Sequence, residues 1–162
     1  MKNKRKAVIL ALVCIGIIIL MRYVFSPYID AYRINRHLDI SGVKMLMTPS
    51  KVEEILGKGN PVGGFGAQFF EYDNAAALIA YPWNGFLRGK VGYIDIRDPK
   101  YGICGVRPGD SSSKAKDILE RHGFLQDKMN KDTFRRGSAV ICIFSDFVRI
   151  NIEDWSLKGI VY

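Results

Sequence analysis

The chain has few of the side chains on which most catalytic chemistry depends. Histidine occurs twice in 162 residues, at His37 and His122, and cysteine three times, at Cys14, Cys104 and Cys142. No C-x-x-C pair is present and the cysteine spacing fits no zinc pattern, so neither a metal nor another cofactor is expected. After residue 21 there is no dense run of Lys or Arg, which argues against a nucleic-acid partner. The glycine-rich stretch "GKGNPVGGFGAQFF" follows a helical pattern and lacks the Gly-Lys-Ser/Thr ending of a phosphate-binding loop. It reads as a connection. Ser111, Ser112 and Ser113 suit helix capping better than hydrolysis, and Glu53 and Glu54 fall on a wet helix face. His37 falls in a juxtamembrane segment, and His122 at a helix end, where an imidazolium meets the dipole favourably. No catalytic residue is assigned.

Acidic residues are also missing from the start of the chain, and basic and apolar ones replace them. Lys2, Lys4, Arg5 and Lys6 precede fifteen apolar residues, 7–21, and Tyr23, Val24 and Phe25 extend the run past Arg22. Counted through Phe25, with Arg22 snorkelling to the headgroups, the helix would span roughly 28 Å, enough for a bilayer core. "RYVFSP" offers no small-residue cleavage pattern, and Cys14 lacks the small residue that precedes a lipoprotein cysteine. An uncleaved anchor is the first reading, with a cleaved signal or a lipoprotein as alternatives. The basic cluster predicts a cytoplasmic N-terminus and an extracytoplasmic C-terminal domain in the cell membrane. Four of the 24 basic residues lie in that cluster, which leaves 20 against 16 acidic ones and a modest excess in the remainder.

Two stretches of that remainder, "ISGVKMLMTPSKVEEILGKGN" (40–60) and "ICGVRPGDSSSKAKDILERHG" (103–123), align at a constant offset of 63. The offset persists from "ALIAY" (77–81) to "VICIF" (140–144), then falls to 56 where "IDI" (94–96) meets "INI" (150–152). This periodicity predicts an internal duplication. Each copy opens with a short helix, capped by Thr48 before Pro49 or by Ser111. Val52, Ile55 and Leu56 make one apolar stripe, and Ala115, Ile118 and Leu119 its twin. Strands are expected over 68–72, 75–83 and 86–98, then near Phe134 and over 138–145 and 147–154, with a further edge at 157–162. In "VRINIED", Val148, Ile150 and Ile152 share one face, with Arg149, Asn151 and Glu153 on the other. The expected fold is α+β: an anchor at 1–25, a juxtamembrane linker at 26–39, and two repeats, 40–102 and 103–162, sharing one sheet.

The opening segment of the first repeat, "GVKMLMTPSKVEEILGKGNP", resembles that of small bacterial envelope proteins, among them the SmpA/OmlA family of outer-membrane assembly lipoproteins. Two such units in tandem also resemble the β-lactamase inhibitory protein family. The second repeat's opening segment departs from the pattern at Arg107, Pro108, Gly109 and Asp110 and at His122. The resemblance implies a one-sheet fold that binds other proteins and carries no catalysis.

The copies differ in length chiefly at "YPWNGFLRGK", where Asn84-Gly85 signals a two-residue hairpin. Trp83, Phe86, Leu87 and Arg88 are therefore candidate partner-binding residues at a protruding tip, set against a tip that folds over the sheet or lies beside the membrane. Cys104 and Cys142 are candidates for a disulfide, which would close a 38-residue loop and add roughly 4 kcal/mol. Two buried free thiols are the alternative. The leading expectation is a membrane-anchored, non-enzymatic module of the bacterial cell envelope that binds an envelope or extracellular protein. An exported enzyme and a small-ligand sensor are the alternatives.

Overall fold

The computed structural model describes residues 2–154, so the edge expected at 157–162 lies outside the described residues. It is a mixed α+β structure: an N-terminal apolar helix followed by a large antiparallel sheet. The first element, α1 (Lys2–Asn35), is one helix of 34 residues. From Leu10 to Met21 each large apolar side chain is more than half exposed, and Leu10–Asn35 is long and apolar enough to cross a membrane.

Most of the segment expected as a linker, 26–35, is the last part of this same helix. Pro27, Asp30, Ala31 and Ile34 are buried, a stripe at helical spacing that lies against two strands, β9 (Ala139–Ile143) and β10 (Val148–Ile152). Asp30 Oδ2 accepts from the Ser138 amide at 2.8 Å, and Ser26 Oγ lies 2.5 Å from Ser138 Oγ. Gly137, at φ +59°, leaves this approach open, since a β-carbon there would come within 2.2 Å of Asp30 Oδ2. At the end of the helix, Asn35 brackets Met45, accepting from its amide at 2.7 Å and donating to its carbonyl at 3.1 Å. Lys44 Nζ donates to the carbonyls of Asn35 and Leu38, setting a cation at the negative end of α1.

Strand β1 (Leu38–Asp39) pairs antiparallel with β6 (Gly102–Ile103) in a small ribbon. The main sheet contains β2 (Asn60–Val62), β3 (Ala67–Tyr72), β4 (Ala77–Pro82), β5 (Tyr93–Ile96), β7 (Leu125–Gln126), β8 (Thr133–Arg136), β9 and β10. Its order is β2-β3-β4-β5-β10-β9-β8-β7, antiparallel throughout. At the centre Ile94 faces Ile150, and Asp95 faces Arg149. Alternation sends Ile79, Ile94, Ile96, Ile141, Val148 and Ile150 into one fully buried cluster. Burying each such side chain stabilises by about 1.5–3 kcal/mol.

Helices α2 (Pro49–Leu56) and α3 (Ser112–Arg121) complete that cluster with Val52 and Leu56, and with Ala115 and Leu119. Both pairs are spaced i, i+4, so a helix of two or three turns turns only this edge inward. Ile55 therefore points outward at 39% exposure and Ile118 sits only half-buried, which narrows the stripes expected from sequence. Ser111 Oγ caps α3 by accepting from the Lys114 amide, whereas Thr48 makes no such bond and Pro49 alone opens α2.

Candidate functional site

The loop between β4 and β5 is not a protruding hairpin. It runs from 83 to 92 and folds back toward the helices. Asp154 accepts from the amides of Phe86 at 2.5 Å and Leu87 at 3.2 Å, and the Tyr28 hydroxyl of α1 donates to the Phe86 carbonyl at 2.8 Å. Val91 exchanges backbone bonds with the segment just before α2, accepting from Leu46 and donating to Met47. These long-range bonds override the local Asn84-Gly85 turn signal. Leu87, expected at the tip, is a core residue at 1% exposure. Trp83 and Phe86 keep exposed surface, as does Arg88, and Lys90 lies over the Tyr28 ring.

Cys104 and Cys142 are free thiols in this structure, the alternative set beside the candidate disulfide. Strand alternation explains it. Ile141 points into the core, so Cys142 points to the other face, where its Sγ lies 3.5 Å from Thr133 Oγ1. Cys104 follows β6 and lines a cleft with Ile34 and His37 on the helical side. The sheet stands between the two sulfurs.

The face away from the helices carries an ordered cluster. Arg149 on β10 grips Asp95 on β5 with two bonds, Nε to Oδ1 at 2.9 Å and Nη2 to Oδ2 at 3.0 Å. The Tyr93 hydroxyl donates to Asp95 Oδ2 at 2.8 Å. The Arg149 guanidinium lies over three rings: Tyr93 at 4.9 Å, Phe144 at 5.1 Å and Phe147 at 5.2 Å. Phe144 and Phe147 stack with centroids 4.2 Å apart, and Phe69 meets Tyr93 edge to face. Burial, then the Asp95 charge, pushes the Tyr93 phenol well above its ordinary range, and the bond to Asp95 holds Arg149 more firmly protonated. Further out, Arg97 pairs with Glu71, and Arg135 with Asp127 and Glu153. Asp95 is buried, and both its oxygens accept hydrogen bonds. Sequence alternation set Arg149 on this face, but nothing local could pair it with Asp95, 54 residues away.

A second cluster joins three residues that sequence reading kept apart. His37 follows α1, Cys104 follows β6, and His122 ends α3, yet one potential ligand atom from each lies within 4.8 Å of the others. The imidazoles meet edge to face with centroids 4.6 Å apart. The Cys104 amide donates to the His37 carbonyl at 3.0 Å, and Arg136 donates to the His122 carbonyl at 2.6 Å. Burial pushes the Cys104 thiol up to about 11, and burial followed by His122, Arg36 and Arg136 lowers His37. Two imidazoles and one thiol could hold a borderline or soft metal ion. The sequence signal for such a trio is absent, because its members lie far apart along the chain. Comparison with family models, with curated proteins and with solved structures finds no match for this chain.

Proposed function

We propose that this chain is a membrane-anchored, non-enzymatic module that binds another protein on the extracytoplasmic face of a bacterial cell envelope, using the open face of its sheet. One observation carries the reading: Arg149, clamped by Asp95 and framed by Tyr93, Phe144 and Phe147, stands on the face that no described helix covers. Arginine and aromatic side chains dominate binding hot spots, and here they are already held in place, which lowers the entropy lost on association. The lysines and arginine before the apolar run support a cytoplasmic N-terminus. An exported enzyme has less support, since the buried carboxylate on this face, Asp95, is already bonded through both oxygens to Arg149 and Tyr93.

The same reading takes the domain to be a tandem duplication, of the kind its two opening segments resemble in the SmpA/OmlA and β-lactamase inhibitory protein families. Three features support it. The strand order runs β2 to β5 and then β10 back to β7. Ile94 and Ile150, related by the sequence offset, sit opposite each other at the centre. The two opening segments share one unusual turn, with positive φ at Ser41 and Gly42 and again at Cys104 and Gly105. In this scheme the loop 83–92 rests at the membrane surface. Tyr28, three residues beyond Phe25, bonds it to α1, and Trp83, Phe86 and Arg88 have the composition of an interfacial belt.

A photo-crosslinking residue at Asn151, on the open face, should give one discrete adduct in intact cells making the full chain. The same residue at Glu54, on α2, should give none. Replacing Phe144 and Phe147 together by Ser should remove the adduct while the protein stays folded. Equal adducts from both positions, or an adduct indifferent to the double substitution, would refute this use of the face.

A further inference from the structure

We propose that His37, Cys104 and His122 form a binding site for a zinc-class divalent cation, which would fasten the membrane helix to the second half of the domain. The inference stands apart from the protein-binding reading. Its basis is the convergence of two imidazoles and a thiol, from three separate parts of the chain, to within 4.8 Å. Zinc takes nitrogen at about 2.0–2.1 Å and sulfur at about 2.3 Å. In a tetrahedral site such ligand atoms stand roughly 3.5 Å apart, so the trio needs an inward shift of about an ångström. Side-chain rotation supplies that shift, because His37 is exposed and Cys104 and His122 are half-buried. Three protein ligands leave a fourth position for water, as in open zinc sites.

The donor set narrows the ion. It contains no carboxylate, and calcium or magnesium would ask for six or more oxygen ligands. On binding, the Cys104 thiol gives up its proton to solvent and each imidazole offers one lone pair. The bound ion then keeps one net positive charge, which Asp30 in the adjoining cleft partly offsets and Arg33 and Arg136 oppose.

The backbone around the sulfur does not require a cysteine. Cys104 has φ +54°, and Ser41, its counterpart at the offset of 63, adopts the same left-handed turn at φ +49°. The counterpart of His122 is Gly59, so the first repeat has the turn without these two ligands. The ligand atoms are therefore additions to a shared frame rather than part of what makes the frame. Loss of Cys104 should spare the fold, and Cys104→Ser is the variant to use.

The test is titration of the full chain in detergent micelles with Co²⁺, followed by displacement with Zn²⁺. Wild type should give a sulfur-to-cobalt charge-transfer band and tetrahedral ligand-field bands at one equivalent. Cys104→Ser should lose the charge-transfer band, although Cys14 and Cys142 remain. His37→Gln and His122→Gln should each weaken Zn²⁺ binding by at least the 10–100-fold that loss of outer-sphere support produces. Zn²⁺ should raise the Tm of wild type and leave that of Cys104→Ser unchanged. A charge-transfer band that persists in Cys104→Ser would overturn the proposal by assigning the metal to another cysteine. Its absence from wild type, or affinity indifferent to both histidines, would overturn it equally.

Discussion

The β4–β5 and β9–β10 connections occupy matching places in the strand order and go opposite ways. The longer, 83–92, turns under the sheet, where Leu87 and Val91 enter the core and Asp154 and Tyr28 hold its backbone. The shorter, 144–147, closes with the Phe144 amide donating to the Phe147 carbonyl at 3.0 Å and keeps its two rings beside Arg149. Length decides the difference. Ten residues can reach the helical side and gain apolar burial; four can only reverse the chain, so their aromatics stay at the surface.

Three substitutions would break or sharpen that contrast. Leu87→Ala should have the largest effect, costing about 2–5 kcal/mol in denaturant unfolding, because it empties a fully buried site. A cost near zero would return Leu87 to the surface tip that sequence suggested. Asp154→Ala comes next, at about 1.5–3 kcal/mol, since it strands the Phe86 and Leu87 amides. Faster hydrogen exchange at those two amides would tie the loss to the loop. Trp83→Ser should change stability least, by under about 0.5 kcal/mol, because the ring is half exposed. A loss of several kcal/mol would make Trp83 part of the core.

These loops also mark what sequence could reveal. Alternation in "VRINIED" puts Val148, Ile150 and Ile152 on one face because a strand's period is local, and that face is the buried one. Ser111 was legible as a cap for the same reason, while Thr48 shows that composition alone does not make the bond. "FLRGKV" reads as strand because Leu87 and Val91 are apolar, yet only Asp154 and Tyr28, distant in sequence, decide that it folds as loop. Cys104 and Cys142 could be judged as partners only once the faces of β9 were known. Arg149 with Asp95, and the His37, Cys104 and His122 trio, depend on register and on how α1 docks, and no short motif encodes either.

The unbroken passage of α1 from its apolar stretch to its seat on β9 and β10 has a mechanical meaning. A domain on a flexible tether samples a hemisphere above the bilayer and meets partners at many heights and angles. This one is mounted on a strut, with Asp30 and Ser26 pinned to Ser138 within a turn or so of Phe25. With α1 in a bilayer, as proposed above, the domain would keep mainly rotation about the membrane normal and drift within the plane. The proposed partner would then have to come to a fixed height, and a force applied to the sheet would pass along α1 into its apolar stretch.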